Sequence, residues 1–145
     1  MEVIERGDPA FMVCHWTGTY WNGRETGFQV FQEVVRRLRA RFDNLLWMKL
    51  SEAARYWAAR ELTAIESGDH TLTFRAPFAC PDFTLAWAAP GPGGGRVSLR
   101  VGTTVTELRE VSSPLRLETA TFHRHNGRMI ACFRLPKGNS RLQYA

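Results

Sequence analysis

The chain has 145 residues, of which 44% are hydrophobic and 23% charged, and its formal net charge is +5. This length suits one domain or two small ones, and the apolar content is too high for a disordered chain. No stretch approaches the ~20 apolar residues that span a bilayer, and residues 1–11 lack the apolar core of a secretory signal peptide. The sequence therefore predicts a globular protein with no membrane partner and a cytoplasmic location for the chain as given.

The positive charge does not gather into a patch that would bind a nucleic acid. Residues 1–61 carry a net charge of +1 and residues 62–145 a net charge of +4. The one arginine cluster, at residues 36–41, closes a predicted helix, where cations complement the helix dipole. Because binding to a phosphate backbone needs a concentrated basic surface, we expect no nucleic-acid partner.

The three cysteines, Cys14, Cys80 and Cys132, lie far apart in the chain, each among apolar neighbours. An odd number of cysteines without C-x-x-C spacing favours buried, reduced thiols over a disulfide framework or a zinc site. This pattern points to a reducing compartment.

The first half of the chain has a strand–helix–strand–helix pattern. The apolar run at 10–14 predicts a strand buried on both faces, and residues 28–42 then repeat apolar side chains at helical spacing. A second apolar run at 45–50 predicts another buried strand, followed by a helix over 52–60. Because a helix that connects two strands makes them parallel, this pattern is typical of an α/β sheet or barrel.

Sixty residues are too few for the fold that this pattern implies. Parallel strands buried on both faces need neighbouring strands and helices on either side. The first half is therefore predicted to be the closing piece of a larger (β/α) barrel. Either the chain is a fragment whose N-terminal barrel is missing, or a partner chain completes it. Alone, such a piece should expose strand edges and self-associate.

From residue 62 onward, apolar residues alternate with a period of two, which predicts seven or eight short strands. Asn126-Gly127 is the strongest hairpin signal, because a type I′ turn needs positive φ at both central residues. A Gly/Pro-rich turn is expected at 90–95. Residues 62–145 are therefore predicted to form a small antiparallel β-sandwich. The fold class is α/β plus all-β, with the domain boundary between residues 61 and 62.

The loop after the first predicted strand carries a dense set of polar and aromatic side chains. In parallel α/β folds ligands bind beyond the carboxyl ends of the strands, where this loop lies. A histidine there can act as general acid or base, and aromatic rings beside hydrogen-bonding groups suit sugars. The alternative is that the histidine only bonds a neighbouring loop while the tryptophans cover the rim. The candidate residues are His15, Trp16, Tyr20, Trp21, Asn22 and Arg24.

Four segments of the first half, 4–16, 20–23, 27–28 and 46–56, carry a resemblance to a known family. Together they resemble the closing segment of polysaccharide-deacetylase-like proteins. The resemblance implies a distorted (β/α) barrel and a hydrolase that removes N-acetyl groups from amino sugars with a divalent metal. Residues 62–145 resemble no family that we can name.

The resemblance implies a catalytic role for His15. The last motif of the family is a strand that ends in Leu-x-His, where the histidine is the general acid. Here the motif is Val13-Cys14-His15, so Val13 departs from the usual leucine. The catalytic aspartate and the metal ligands belong to earlier motifs that are missing here. We therefore expect no cofactor in this chain, a divalent metal such as Zn²⁺ only in the complete family barrel, and an inactive isolated chain.

His123 and His125 form a second candidate site. Alternate residues of a strand share a face, so both imidazoles can reach one metal ion. Two ligands are too few for a zinc site, and no carboxylate or cysteine has the spacing to supply a third. A solvated strand face beside the hairpin turn is the favoured interpretation.

The remaining aromatic residues and Ser51 are interpreted as structural. Trp47, Tyr56 and Trp57 are predicted to lie in the core, and Ser51 to cap a helix.

Two classes of function stay open, and a third possibility is that the β-sandwich only buttresses the barrel. The first is the C-terminal portion of a deacetylase-like, carbohydrate-active protein. The second is a non-catalytic β-sandwich that binds a carbohydrate or a protein. Exposed aromatic residues on one sheet face would favour the second class. Phe83, Leu85 and Trp87 share a face, but inward packing explains them equally well.

Overall fold

The computed structural model describes residues 2–6, 8–89 and 95–144. The predicted turn at 90–95 therefore lies outside the described residues, except for Gly95. The chain divides into two compact units, Met1–Ala53 and Ala54–Ala145. Within the described part of the chain, no helix is both long enough and apolar enough to cross a membrane.

The first unit consists of helices joined by irregular segments. Its α-helices are α1 (Glu2–Glu5), α2 (Trp16–Thr19) and α3 (Thr26–Arg41), and Trp21–Gly23 forms a 3-10 turn. The helix predicted from the apolar stripe of residues 28–42 is confirmed as α3. Every apolar residue of that stripe is half-buried: Phe28, Phe31, Val35, Leu38 and Phe42.

The two strands predicted in the first half are not formed. Residues 10–14 and 45–49 have no regular secondary structure, and Val13 and Leu46 are 82% and 84% exposed. A strand needs a neighbour that pairs with its backbone N–H and C=O groups. The described residues of this unit contain no strand that provides one. The prediction of two buried parallel strands is therefore wrong for this structure.

Close contact between two glycines positions the loop before α3. A Cβ atom at Gly27 would lie 2.0 Å from the carbonyl oxygen of Gly18, far inside van der Waals contact. Gly27 therefore lets α2 lie directly against the first turn of α3.

Three of the four arginines at residues 36–41 pair with carboxylates. Glu33 accepts hydrogen bonds from Arg36 at 2.7 Å and from Arg37 at 2.8 Å, and Arg41 pairs with Glu5. The hydrogen bonds from Arg36 and Arg37 lower the pKa of Glu33 to about 2.

Helix α4 (Leu50–Leu62) is capped by a residue other than the predicted one. The Lys49 N–H donates to Glu52 Oε2 at 2.7 Å, so the carboxylate of Glu52 caps the helix, and Ser51 lies inside it. In the second unit, Ala59 is fully buried and the Tyr56 hydroxyl donates to the Thr84 carbonyl at 3.2 Å.

Two of the three aromatic residues predicted for the core are exposed instead. Trp47 and Trp57 have about half of their surface in solvent, and each lies under an arginine, Arg39 and Arg60 respectively. The cation–π contact with the arginine guanidinium stabilises each indole ring at the surface. Tyr56 packs against the core as predicted.

The second unit contains a curled sheet of eight strands, in the order β1-β2-β8-β4-β5-β6-β7-β3. The β5–β6 pair is parallel and all other neighbouring strands are antiparallel. The predicted strand number is confirmed, but one mixed sheet replaces the predicted antiparallel sandwich. The strands are β1 (Ala64–Gly68), β2 (Thr71–Ala76), β3 (Cys80–Ala88), β4 (Val97–Val101), β5 (Thr104–Glu110), β6 (Thr121–His125), β7 (Arg128–Leu135) and β8 (Gly138–Tyr144).

Aromatic contacts show that the sheet curls around a single core. Phe74 on β2 and Phe83 on β3 lie near opposite ends of the strand order, yet their ring centroids are 6.5 Å apart. Trp87 on β3 also reaches Tyr144 on β8, at 5.4 Å. The alternating apolar residues of β3, including Leu85, therefore pack inward.

The Asn126-Gly127 hairpin is confirmed. It joins β6 to β7, where His125 pairs with Arg128, and its φ angles are +50° at Asn126 and +72° at Gly127. Both values are those of a type I′ turn.

Candidate functional site

The predicted catalytic histidine lies on the surface, where the chain enters α2. His15 is the N-cap residue of α2, and its carbonyl oxygen accepts hydrogen bonds from the N–H groups of Gly18 at 3.0 Å and Thr19 at 3.1 Å. The backbone of His15 is thus fixed by the helix, while its imidazole is exposed.

Two of the predicted sugar-binding residues are in contact. The rings of Trp16 and Tyr20 lie 4.7 Å apart, and Tyr20 stacks in turn on Phe28 at 6.1 Å. Trp16 remains 77% exposed. The indole of Trp16, tilted by 43° against the Tyr20 ring, offers a free aromatic face to a ligand.

The other predicted sugar-binding residues do not complete an enclosed site. Trp21 is 71% exposed and Arg24 is also on the surface. Asn22 lies in the 3-10 turn, and its side chain is outside the described residues. Except for the partly buried Tyr20, the candidate side chains of the loop whose burial is described are therefore exposed.

The described residues do not fit the divalent metal of the deacetylase family. No group of three or more His, Cys, Asp and Glu side chains among them is placed to share an ion. His123 and His125 therefore have no third metal-ligating side chain beside them among the described residues. Their rings stack at 6.2 Å, and His123 Nδ1 is 2.9 Å from the Val111 carbonyl oxygen, which ties that ring to the backbone.

A polar surface depression of roughly 480 Å³ lies where β5 ends. Arg109 and Glu118 form an ion pair across it at 2.6 Å. Its lining residues are Arg109, Glu110, Val111, Ser112, Arg116 and Glu118.

A row of side chains crosses the inner face of the sheet beside this depression. Trp87 pairs with Met129, and Met129 pairs with Arg124 on the next strand. Directly opposed residues share a face of a sheet, so these three side chains lie side by side. Buried Met129 fixes that face as the inner one.

The row continues around one end of the sheet. Arg124 reaches Glu110 on β5 with an Nε–Oε1 distance of 3.7 Å, and also donates to the carbonyl of Gly95 before β4. Tyr144, which pairs with Val97, contacts the ring of Trp87. We call the four residues Trp87, Arg124, Glu110 and Tyr144 the mouth of the sheet.

Sequence reasoning missed the mouth because it joins four strands that are distant in the chain. One signal was present. In Phe122-x-Arg124 an arginine occupies the position that alternation assigns to the inner face. A charged residue at such a position is rare without a partner. The Arg124 side chain is only 16% exposed, and its guanidinium carbon lies 5.0 Å from the centroid of the Phe122 ring.

Comparison of the chain with family models, with curated proteins and with solved structures gives no match.

Proposed function

We propose that residues 1–60 are the closing segment of a polysaccharide-deacetylase-like domain, and that they pack against the rest of that domain. The chain is then the C-terminal portion of a carbohydrate-active hydrolase. The second unit is a β domain that follows the catalytic one.

The apolar surface of the first unit supports this proposal. No residue whose burial is described in the range 2–53 is buried, although the range is rich in large apolar side chains. Soluble proteins bury such side chains, and a contiguous exposed set marks a surface that another part of a protein covers. The exposed large residues include Phe11, Met12, Val13, Leu46, Trp47, Met48 and Leu50.

The position of these side chains agrees with the strands that the sequence predicted. They lie in the runs 10–14 and 45–50, which flank α3 on both sides. Each run would gain both backbone partners and a cover for its two faces by joining a parallel sheet. The missing sheet neighbours would therefore turn both runs into strands.

In the completed domain, His15 is the general acid that protonates the leaving amine of the sugar. The exposed indole of Trp16, which contacts Tyr20, provides an apolar face for the sugar ring, and Trp21, Asn22 and Arg24 lie further along the same loop. The donors for the metal of the family belong to other segments of the domain.

The test compares the isolated chain with the completed assembly. The chain is co-expressed with the polypeptide encoded directly upstream, and acetate release from acetylated chitooligosaccharides is measured with added Zn²⁺ or Co²⁺. We expect background release from the chain alone and turnover from the assembly. His15→Gln should lower that turnover at least ~100-fold, which is the usual contribution of a general acid.

His125→Gln is the matched control, because it removes an exposed histidine of the second unit. It should leave turnover unchanged. Turnover by the isolated chain, or an active assembly that is indifferent to His15→Gln, would contradict the proposal.

A further inference from the structure

Three arginines that are far apart in the chain lie together on the outer face of the curled sheet. Arg141 on β8 is directly opposed to Arg100 on β4, so both side chains project from the same face. Arg75 on β2 is opposed to Asn139, two residues before Arg141, which makes Arg75 and Arg141 diagonal neighbours. All three arginines are exposed, and they alternate with buried residues such as Leu142, so this face is the outer one.

None of these three arginines forms an ion pair within the described residues. Arg109 on β5, by contrast, pairs with Glu118. Like charges that are directly opposed across two strands destabilise a sheet, so the fold gains nothing by placing Arg100 beside Arg141. Proteins keep such locally unfavourable arrangements mainly at functional sites.

The side chains around the arginines are neutral groups that form hydrogen bonds. We use the name arginine face for the outer residues of β2, β8 and β4, which are Thr71, Thr73, Arg75, Asn139, Arg141, Gln143, Ser98 and Arg100. Carboxylates border this face on both sides. Glu66 on β1 is opposed to Thr73, and Glu107 on β5 is opposed to Ser98 and pairs with Arg96.

The arginines of this face favour an anionic ligand. A guanidinium group can bind a carboxylate or a phosphate through two parallel hydrogen bonds. Arg75 and Arg100 are two strands apart, and neighbouring strands lie ~4.8 Å from each other, so the positive charge is spread over about 10 Å. This spread suits a chain with repeated anionic groups better than one small ion.

The other side chains distinguish between kinds of anionic chain. Single-stranded nucleic acids stack their bases on aromatic rings, and the arginine face has none. Proteins that bind duplex DNA commonly contact ~6–10 phosphates, which is more than three arginines can supply. The hydroxyl and amide side chains of the face instead match hydroxyl groups, which both donate and accept. Polysaccharides built from uronic acids carry carboxylates and hydroxyl groups together.

We propose that the arginine face binds a segment of an acidic polysaccharide. Arg100 and Arg141 together hold one carboxylate, which relieves the repulsion between them, and Arg75 holds a second. Hydroxyl groups of the sugar units bond to the neutral side chains between the arginines. The face lies entirely in the second unit, so this proposal does not depend on the proposed deacetylase role of residues 1–60.

Titration calorimetry of the full chain with the hexamer of galacturonic acid measures this binding. The hexamer is added up to ~10 mM, a range that covers weak binding. We expect saturable binding that weakens as salt is added, because the arginines are exposed. The neutral hexamer of glucose should not bind. In ¹⁵N spectra of the same titration, the backbone amides of β2, β4 and β8 should shift, while those of β6 and β7 should not.

Variants of Arg141 test the role of the arginine pair. Arg141→Gln removes a charged donor and should lower the affinity at least about tenfold. Arg141→Lys keeps the charge but loses the two parallel hydrogen bonds, so its loss should be smaller. Arg134→Gln, an exposed arginine on β7, is the matched control and should bind as the unchanged chain does.

The stability of the Arg141→Gln variant separates binding from folding. Because this substitution removes a repulsion with Arg100, the free energy of unfolding of the unliganded chain, measured in urea, should stay the same or rise. If Arg141→Gln does not fold, Arg100→Gln is the second test of the same pair, with the same expected loss of affinity.

Four results would overturn the proposal. The first is that the galacturonate hexamer does not bind, or that the glucose hexamer binds as tightly. The second is equal affinity for hexaglutamate, which would favour an acidic peptide. The third is tighter binding of a DNA oligonucleotide of equal charge, which would favour a nucleic acid. The fourth is that Arg134→Gln weakens binding as much as Arg141→Gln does.

Discussion

Burial distinguishes the three cysteines from one another. Cys80 and Cys132 are buried in the second unit, and desolvation raises the pKa of both thiols above the ordinary value of 9.0. Cys14 is exposed, contrary to the prediction that all three are buried. It lies in the run 10–14, which has no strand neighbours to cover it. Because the thiolate is the reactive form, only Cys14 is open to reagents in the folded chain.

We expect iodoacetamide at neutral pH to modify Cys14 about 100-fold faster than the other two cysteines, which react only when the second unit opens. Peptide mapping by mass spectrometry measures the three rates. The difference between these rates should shrink above pH 9. There the unfolded state loses thiol protons that the folded state retains, so the free energy of unfolding of the second unit falls as the pH rises. Cys14→Ser is the control and should abolish the fast reaction. Equal rates for all three cysteines at pH 7 would show that the second unit does not bury Cys80 and Cys132.

At the scale of elements, short sequence patterns correctly predicted the features that depend only on neighbouring residues, such as strands and turns. The alternation after residue 62 fixes which side chains of a strand share a face, and Asn126-Gly127 supplies the positive φ angles of its turn. Closure of the sheet depends on contacts such as Phe74 with Phe83, between strands that are not sheet neighbours. No local pattern encodes such contacts, so a sandwich and a curled sheet looked alike in the sequence.

The candidate sites show the same limit. The loop at 15–24 was found because its residues are neighbours in the chain. The mouth was not, because only the register of three strands aligns Trp87, Met129 and Arg124 in one row. The strands expected at 10–14 and 45–50 are not formed, for a related reason. Apolar content predicts burial, but a strand also needs a partner, and the described chain supplies none there.

The β6–β7 hairpin gives a test of the fold of the second unit. Gly127→Ala places a Cβ at φ +72° and should lower its free energy of unfolding by about 1–2 kcal/mol. Urea denaturation followed by circular dichroism measures the change. Asn126→Gly introduces a residue that also tolerates positive φ, so it should change the free energy of unfolding much less. Equal effects of the two variants would argue against the type I′ turn.

The two units of the molecule differ in how they bury apolar surface. The second has a core drawn from seven of its eight strands together with Ala59 of α4. The first has no buried residue in its described part. Helix α3 has 16 residues and fully buries none of them, and a helix with so little burial is only marginally stable. The first unit should therefore be much less stable than the second until its apolar surface is covered.

Hydrogen–deuterium exchange of the isolated chain tests this claim most directly. The amides of α3 should exchange within seconds to minutes, close to unprotected rates, while those of β2, β7 and β8 should stay protected for hours or longer. Covering the first unit in the assembly should slow exchange in α3 and leave the sheet unchanged. If α3 in the isolated monomer is instead protected as strongly as the sheet, the first unit has a stable core of its own, and the account of it as a segment that needs a larger domain is contradicted.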